Sequence, residues 1–566
     1  MRVLILIFIA LSLTACRFLP REDADPTVGP ATVDSGSPGA ESSQLEPGVT
    51  ATTQPPVTVE PTVLPATSAP KATESTEETN PSEPAGSVIP IRDDVRLAIA
   101  YRGADPAAAT PQPAADYEIG SIDTYYIGNV DSNTVQEIEA QLMSEGEHAY
   151  FWFDLGEGSV EPTAQELEAI TAAFDGVYET LFAYFGDSGP AGEKAHIVHA
   201  SPSALCDDVD LCGLAGYFSA RDMLPASVNP WSNERLMFVM NTQQFGGLNY
   251  LDVLAHELRH MLGAGYDAAD EDWMVEGAAM LAEDLAGFDS LPQARGTLFL
   301  ENTDQQLNSW TDGFTIPHYG QGYLVNRYLY DRLGEELYRD FTFSSQRGLS
   351  AVDAVAKSNG LELTGEGLWL DWLVAMAVHN LPNMPDRYRW LGPELGPVAA
   401  TTVNNVPSHH SETVGQFAAD YYELPSSGTF DLDFKGAPFV SLLNEPAPSG
   451  ERFWYAQRAN FSNPRLTREI DLRGVSSATL EYSIYADIEQ GYDFAYVSVS
   501  RDGGHTWQAL EAPGMQGLDP ADDPSDSAFT GRFYTGRRAE WIDEVVDLTP
   551  FAGETLLLRF EYVTDP

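Results

Sequence analysis

The sequence predicts an α+β protein that continues into an all-β sandwich. Two patterns carry this prediction. Before about residue 400, short segments rich in aromatic and β-branched residues, which are typical of strands, alternate with longer segments of helical apolar periodicity. After residue 400, the segments 478–488, 494–510 and 554–563 alternate polar and apolar residues, are separated by turn residues, and contain no long helical period. The C-terminal part therefore reads as a jelly-roll-like sandwich of its own.

The length and the charge of the chain limit what it can be. It has 566 residues, more than one domain usually holds, so we expect two folded units and some unstructured sequence. The formal net charge is −55, which excludes binding to nucleic acid or to anionic membrane surfaces by charge. The same charge can attract cations such as Ca²⁺. The oligomeric state is not indicated by any pattern.

Residues 1–16, MRVLILIFIALSLTAC, have a charged start, an apolar run and small residues before Cys16. This order is typical of a secretory signal, and the run is too short for a confident membrane-spanning helix. The ending LTAC resembles a bacterial lipobox, which implies lipidation of Cys16 and an exported protein anchored to the outer face of a bacterial cell membrane. An ordinary signal peptide with a coincidental cysteine is the alternative.

Residues 17–90 form a compositionally biased linker. They contain thirteen of the 38 prolines and one aromatic residue, Phe18, with Ser, Thr, Glu and Gly filling most of the rest. Such a segment cannot bury enough apolar surface to offset its ordering entropy. We expect an extended acidic stalk, with a cleavable propeptide as the alternative.

The other two cysteines, Cys206 and Cys212, lie in the short segment CDDVDLC. In an exported protein disulfides persist, so the pair predicts a local disulfide, with two free thiols as the alternative. Their spacing does not match the usual zinc-binding cysteine pairs.

From residue 91 to 400 the elements follow one another in a mixed order. Thr163, followed by Glu166 at capping-box spacing, begins a predicted amphipathic helix that Gly186 ends. Strand-like segments precede and follow this helix: DTYYIGNV at 123–130, HAYFWFDLG at 148–156, KAHIVHA at 194–200 and RLMFVMNT at 235–242.

The segment LAHELRHMLG, 254–263, carries the main chemical signal. Apolar residues recur at helical spacing from Leu251, so His256 and His260, four residues apart, share one helix face. Two imidazoles placed in this way can bind one metal ion, and Glu257 can reach a water on that ion. The pattern is the H-E-x-x-H arrangement of zinc hydrolases. A chance occurrence on an ordinary helix is the alternative.

A zinc site of this type needs a third protein ligand and one open position. The segment DEDWMVEGAAMLAEDLAG, 270–287, reads as a second helix with Glu276 in its first turns. Fifteen residues separate His260 from Glu276, enough for a loop and a return. Glu283 lies seven residues further on the same face and could orient a ligand histidine, or could be a solvated carboxylate.

HELRH followed by WMVEGAAMLAE resembles the gluzincin zinc peptidases, the thermolysin-like group, and is most similar to the hyicolysin-type branch. GLAGYFS at 213–219, WSNERLMFVMN at 231–241 and HYGQGYLVNRYL at 318–329 fit this resemblance, which covers about residues 120–385. It implies a thermolysin-like zinc peptidase domain over residues 91–400.

The resemblance also implies roles for individual residues. His256, His260 and Glu276 would be the Zn²⁺ ligands, and Glu257 the general base. Relatives use a Tyr or His to stabilise the oxyanion, and His318 and Tyr319 are the candidates, with Tyr323 as a further choice. The segment LMFVMN would be the strand that pairs with the substrate backbone.

Residues 401–566 resemble the β-sandwich modules that follow some secreted bacterial metallopeptidases, including the immune inhibitor A type. YDFAYVSVSRDGGHTWQAL carries this likeness, and RDGG at 501–504 is a predicted hairpin turn. Tyr492, Trp507 and Trp541 could form a binding platform, or could be core residues. Because the sequence stops at YVTDP, directly after a strand-like run, the completeness of the sandwich is left open.

These patterns predict a zinc metallopeptidase of endopeptidase type that acts on protein or peptide substrates. A surface adhesion or carbohydrate-binding or protein-binding lipoprotein with a vestigial zinc site is the alternative, and a zinc hydrolase of non-peptide amides lies between them. The acidic loop of Asp267, Asp270, Glu271 and Asp272 is a candidate Ca²⁺ site, with a solvated loop as the plainer interpretation.

Overall fold

The computed structural model describes residues 14–17, 89–105, 117–132, 134–186, 193–266, 269–310, 315–424, 429, 431–437, 439–443, 445–517 and 529–565. Most of the predicted signal peptide and of the predicted stalk lies outside the described residues, so lipidation and the stalk stay predictions. Among the described residues, no helix combines the length and the hydropathy that a membrane crossing requires.

The described part contains both helices and strands, as an α+β fold requires. Its α-helices are α1 Asp94–Leu97, α2 Ala164–Phe185, α3 Pro202–Leu205, α4 Tyr250–Gly263, α5 Asp272–Leu285, α6 Ser290–Leu300, α7 Ile316–Leu333, α8 Glu335–Thr342, α9 Leu349–Ser358 and α10 Gly365–Val378. Its strands are β1 Thr14–Arg17, β2 Ile122–Asn129, β3 Thr134–Glu145, β4 Ala149–Asp154, β5 Ala195–Ala200, β6 Leu214–Phe218, β7 Met237–Asn241, β8 Thr401–Thr402, β9 Tyr422–Glu423, β10 Arg465–Asp471, β11 Thr479–Asp487, β12 Phe494–Ser500, β13 Gln508–Ala509, β14 Gln516–Gly517, β15 Arg532–Phe533, β16 Arg537–Asp547 and β17 Thr555–Val563.

A seven-stranded mixed sheet organises the first half of the folded chain. Its strand order is β1-β6-β7-β5-β4-β3-β2. The central strands β4, β5 and β7 are mutually parallel, and the flanking pairs are antiparallel. Every residue of β4, β5, β6 and β7 is buried, because both faces of the sheet are covered.

Helices cover one face of this sheet. α2 begins at a capping box, in which Glu166 N donates to Thr163 Oγ1 over 3.3 Å and Thr163 N donates to Glu166 Oε2 over 2.9 Å. Its apolar stripe joins side chains of β4, α4, α5 and α7 in one large core. α4 is buried along almost its whole length, which fixes the orientation of its side chains.

A smaller core covers the opposite face. Tyr125, Trp152, Val198, Tyr217 and Val239 fill it, and the loop that follows β5 closes it. Cys206 and Cys212 form the predicted disulfide in this loop, with their Cα atoms 5.6 Å apart. The disulfide therefore fastens the segment that leads directly into β6.

The C-terminal part is rich in β-structure, as predicted. One sheet has the order β10-β17-β12-β13, and β11 pairs with β16 in a second sheet. Val497, Val499 and Leu558 of the first sheet share a core with Leu480 and Val546 of the second. Apolar side chains from two sheets thus meet in one core, as they do in a sandwich.

Residues 89–105, at the start of the folded chain, pack against the C-terminal strands. Ile91 forms an antiparallel bridge with Ser462, and Trp507 N donates to Ala100 O over 2.8 Å. Leu97 and Ala98 are buried in a core with side chains of β12, β15 and β17, among them Phe494, Phe533 and Val563. We call residues 89–105 the N-terminal clasp.

Candidate active site

The histidine pair lies on α4, directly behind the sheet. His256, Glu257 and His260 all fall within this helix, and all three side chains are buried. The i, i+4 spacing brings the two imidazole rings to 4.8 Å between centroids. Burial lowers the pKa of His260 well below its ordinary value of 6.5, so the imidazole is neutral and able to act as a metal ligand.

Glu276 comes from α5, which packs against α4 as the sequence pattern suggested. The residue that follows it, Gly277, permits a very close approach of α5 and α7. A Cβ atom at position 277 would lie 2.1 Å from Asn326 Nδ2 and 2.4 Å from Gly322 O. Only glycine fits at this crossing, which explains the glycine directly after the glutamate.

The side chains of His256, His260 and Glu276 meet at one point. Each offers a ligand atom within 4.8 Å of the other two. Glu276 Oε2 lies 3.1 Å from His256 Nε2 and 3.8 Å from His260 Nε2. Ligand atoms of a tetrahedral zinc ion lie about 3.3 Å apart, given usual zinc–ligand distances. His260 Nε2 is buried and has no hydrogen-bond partner among the described residues, so the donor set and its spacing fit a Zn²⁺ ion.

The opposite nitrogen of His256 is held by Glu283. His256 Nδ1 lies 2.8 Å from Glu283 Oε1, and both side chains are fully buried. A carboxylate in this position fixes the tautomer and the ring orientation of a ligand histidine. Glu283 is fully buried, so it is not the solvated carboxylate of the alternative interpretation.

Glu257 lies close enough to His256 and Glu276 to interact with both electrostatically. Both carboxylate oxygens are buried and make no hydrogen bond of ordinary geometry with the described residues, although the backbone of Phe218 in β6 is near enough to favour the charged form. Burial raises the pKa of Glu257 well above its ordinary value of 4.5. A carboxylate with a raised pKa is a stronger proton acceptor than an exposed one.

The strand next to Glu257 is β6, not the strand that the resemblance suggested. The segment LMFVMN corresponds to β7, which is paired on both sides, with β5 and with β6. Its backbone is therefore not open to a substrate. β6 is closer to the edge, and its outer side pairs antiparallel with β1. Gly216 of β6 lies against Glu257: a Cβ atom there would be 3.3 Å from Glu257 Cγ.

The three oxyanion candidates on α7 are placed differently. Tyr319 borders the same cavity as His260 and Glu276, and its ring lies 6.1 Å from that of His256. His318 is buried beside Trp310 and is not among the cavity-lining residues, and burial lowers its pKa to about 4. Tyr323 donates to Asp284 Oδ2 over 2.9 Å. Among the three, Tyr319 is the side chain that faces the cavity.

The acidic loop before α5 interacts with protein groups. Glu271 Oε2 accepts a 2.5 Å hydrogen bond from Trp273 Nε1, and Asp272 Oδ1 accepts a 2.7 Å hydrogen bond from Asn460 Nδ2. Asp267 lies outside the described residues. A Ca²⁺ ion in this loop stays a prediction.

The proposed aromatic platform is largely core. Tyr492 and Trp507 are buried, and Trp507 has Arg559 stacked over its ring. Trp541 is half-buried and borders the cavity described next. Of the three aromatic residues, only Trp541 borders the cavity, whereas Tyr492 and Trp507 are core residues.

A cavity of about 1250 Å³ opens over the ligand cluster and is lined by both halves of the folded chain. His260, Glu276 and Tyr319 lie on one side, and residues between 442 and 565 line the other. The sequence pattern did not reveal this second wall, because its residues lie far from the histidine helix along the chain. No local spacing signals such a contact.

Comparison with known proteins supports a metallopeptidase context. Residues 443–566 match the family model described as Immune inhibitor A-like, MAM domain. Pre-pro-metalloprotease PrtV of Vibrio cholerae serotype O1 (strain M66-2) is 29% identical over 116 residues, 20% of this chain and 11% of that protein. Immune inhibitor A of Bacillus thuringiensis subsp. alesti is 30% identical over 118 residues, 20% of this chain and 15% of that protein.

The chain therefore covers 11% and 15% of the lengths of these two relatives. The match over 443–566 confirms the predicted likeness of the C-terminal β-rich domain to modules of the immune inhibitor A type. The gluzincin and hyicolysin-type resemblances of the preceding part stay predictions.

Proposed function

We propose that this protein is a zinc metallopeptidase of thermolysin-like type that hydrolyses peptide bonds in protein or peptide substrates. The observation that carries the proposal is the convergence of His256, His260 and Glu276 beside the buried carboxylate of Glu257. The similarity to Pre-pro-metalloprotease PrtV and to Immune inhibitor A supports the same class of enzyme.

His256 Nε2, His260 Nε2 and a Glu276 oxygen would hold the ion, with Glu283 orienting His256. When bound, zinc polarises a carbonyl and lowers the pKa of water towards neutrality. Glu257 accepts the proton of the attacking water and then donates it to the leaving amine nitrogen. The hydroxyl of Tyr319 donates a hydrogen bond to the oxyanion that develops on the carbonyl oxygen.

The substrate would lie along the outer side of β6. In the structure an antiparallel segment, β1, pairs with β6 there through Thr14 to Arg17, so a substrate would take the place of that segment. Backbone pairing of this kind binds any extended peptide, and side-chain pockets select among sequences. Because no motif in the sequence suggests capture of a free substrate terminus, we propose endopeptidase action.

The same proposal includes export and anchoring by a lipid on Cys16. The Cys206–Cys212 disulfide supports an oxidising compartment. Metabolic labelling with a radioactive fatty acid would test it: label should enter the wild-type chain and not Cys16→Ser.

The test of the activity compares the full chain with its Glu257→Gln variant. Gln is nearly isosteric with Glu but cannot accept the proton, so both proteins should bind about one zinc ion and only the wild type should cleave a quenched-fluorescent peptide mixture. The expected loss in kcat is at least about 10²-fold. Equal cleavage by both proteins would show that Glu257 is not the base. Zinc binding without cleavage by either would refute the peptidase assignment.

A further inference from the structure

The cavity over the ligand cluster has an aromatic wall that belongs to the C-terminal domain. Arg452, Phe453, Trp454 and Tyr455 form a short segment that lines the cavity together with His260 and Glu276. Phe453 packs edge-on against Trp541 of β16, with ring centroids 5.6 Å apart. Trp541 packs in the same manner against Tyr485 of β11, at 5.7 Å. We call Phe453, Trp454, Tyr455 and Trp541 the aromatic wall.

Much of this wall is uncovered. Trp454 is 81% exposed, Tyr455 47% and Phe453 39%. Large aromatic side chains are costly to leave in water, and each can contribute strongly when it becomes covered. An exposed apolar patch at the rim of a cavity is typical of a binding surface. The cavity itself, about 1250 Å³, is larger than the usual volume of a small-molecule site.

Direct contacts to α5 hold the wall in place. Asn460, which follows the wall segment, donates from Nδ2 to Asp272 Oδ1 in the first turn of α5 over 2.7 Å. Arg347 donates to the backbone oxygen of Asn460. The positive charge of Arg458 acts on the carboxylates of Glu271 and Asp272. The wall is thus tied to the helix that carries Glu276, four residues after Asp272.

We propose that the aromatic wall is a substrate-binding surface of the peptidase, and that it binds large apolar side chains of an extended polypeptide. The occupant follows from continuity: the wall and the ligand cluster border a single cavity, so a chain that reaches Glu276 passes the wall. The C-terminal domain is therefore part of the active-site cleft and selects substrates within it. This inference rests on the proposed peptidase function.

The test uses Trp454→Ala, because a side chain exposed to this degree can be removed with little effect on folding. Phe434→Ala is the matched control: Phe434 is 85% exposed in the same C-terminal part but does not line the cavity. The two substrates are extended peptides that differ only in carrying Leu and Phe, or Ser and Asn, on the two sides of the scissile bond. Zinc content and Tm are measured on each protein.

For the apolar peptide, Trp454→Ala should lower kcat/KM roughly tenfold, mainly through KM, with zinc content unchanged. The polar peptide and the Phe434→Ala variant should show no such loss. The proposal would be overturned if the ratio of kcat/KM for the apolar peptide to kcat/KM for the polar peptide were the same in the wild type, Trp454→Ala and Phe434→Ala.

A binding measurement separates this proposal from the peptidase function. Binding of the labelled apolar peptide is measured by fluorescence anisotropy with Glu257→Gln and with the double variant Glu257→Gln, Trp454→Ala. This measurement does not require either protein to cleave the peptide. Roughly tenfold weaker binding by the double variant supports the wall even where the wild type cleaves nothing. Equal binding by both variants refutes the wall even where the wild type is an active peptidase.

Discussion

The hydrogen bond between Glu283 and His256 offers a quantitative test of the zinc site. Glu283 Oε1 lies 2.8 Å from His256 Nδ1, both side chains are fully buried, and the other ring nitrogen points to Glu276. In Glu283→Ala the imidazole loses the group that fixes its orientation and its tautomer. Loss of such a partner typically weakens metal binding about 10–100-fold, or about 1.4–2.8 kcal/mol.

Glu283→Gln provides the graded comparison. The amide oxygen of Gln can still accept from His256 Nδ1, although without the negative charge, so we expect zinc binding between that of the wild type and that of Glu283→Ala. The assay is competition for Zn²⁺ against a chromophoric chelator at fixed pH. Glu168→Ala, which changes an exposed glutamate of α2, is the control. A zinc Kd for Glu283→Ala equal to that of the control would refute the orienting role.

Two further predictions concern stability. In Gly216→Ala, the new Cβ would lie 2.8 Å from Met240 Sδ and 2.9 Å from Val239 O, so we expect a loss of about 1–3 kcal/mol in the free energy of unfolding. Gly176→Ala, with open space around its Cβ, is the control. Equal urea denaturation midpoints for the two variants would contradict the packing argument. Burial lowers the pKa of His199 from 6.5 to about 4, so the unfolded chain binds a proton that the folded chain resists, and stability should fall by about 3 kcal/mol as the pH drops from about 6.5 to 4. Urea titrations of the wild type and His199→Gln across this range should show a shallower pH slope in the variant, and parallel slopes would exclude His199 as the cause.

The sequence patterns were most informative where the structure depends on local spacing. The helix face shared by His256 and His260, and the capping box at Thr163, follow from residues three or four positions apart. The position of Glu276 near the histidines could also be predicted, because a short loop brings α5 back against α4. In each case the partners lie close along the chain.

The features that the sequence did not predict depend on contacts between segments that lie far apart along the chain. Which of His318 and Tyr319 borders the cavity depends on the packing of α7 against α5 near Gly277, which no periodicity encodes. Strand order is equally nonlocal: β7 is apolar in four of its five residues, yet it is β6 that lies next to the outer strand. The contact of Asn460 with Asp272 spans 188 residues and leaves no pattern in either segment.

The N-terminal clasp bears on the order in which the molecule can be completed. Residues 89–105 are synthesised before the helices and the mixed sheet, yet Leu97 and Ala98 share most of their core with side chains that follow residue 493, besides Val228. Closing a loop of this length carries an entropic cost, and such nonlocal pairings form slowly. Until β12 and β17 have formed, this early apolar segment lacks most of the side chains that bury it. We therefore infer that residues 89–105 reach their final packing only after β12 and β17 have formed, which makes this contact a late step of folding.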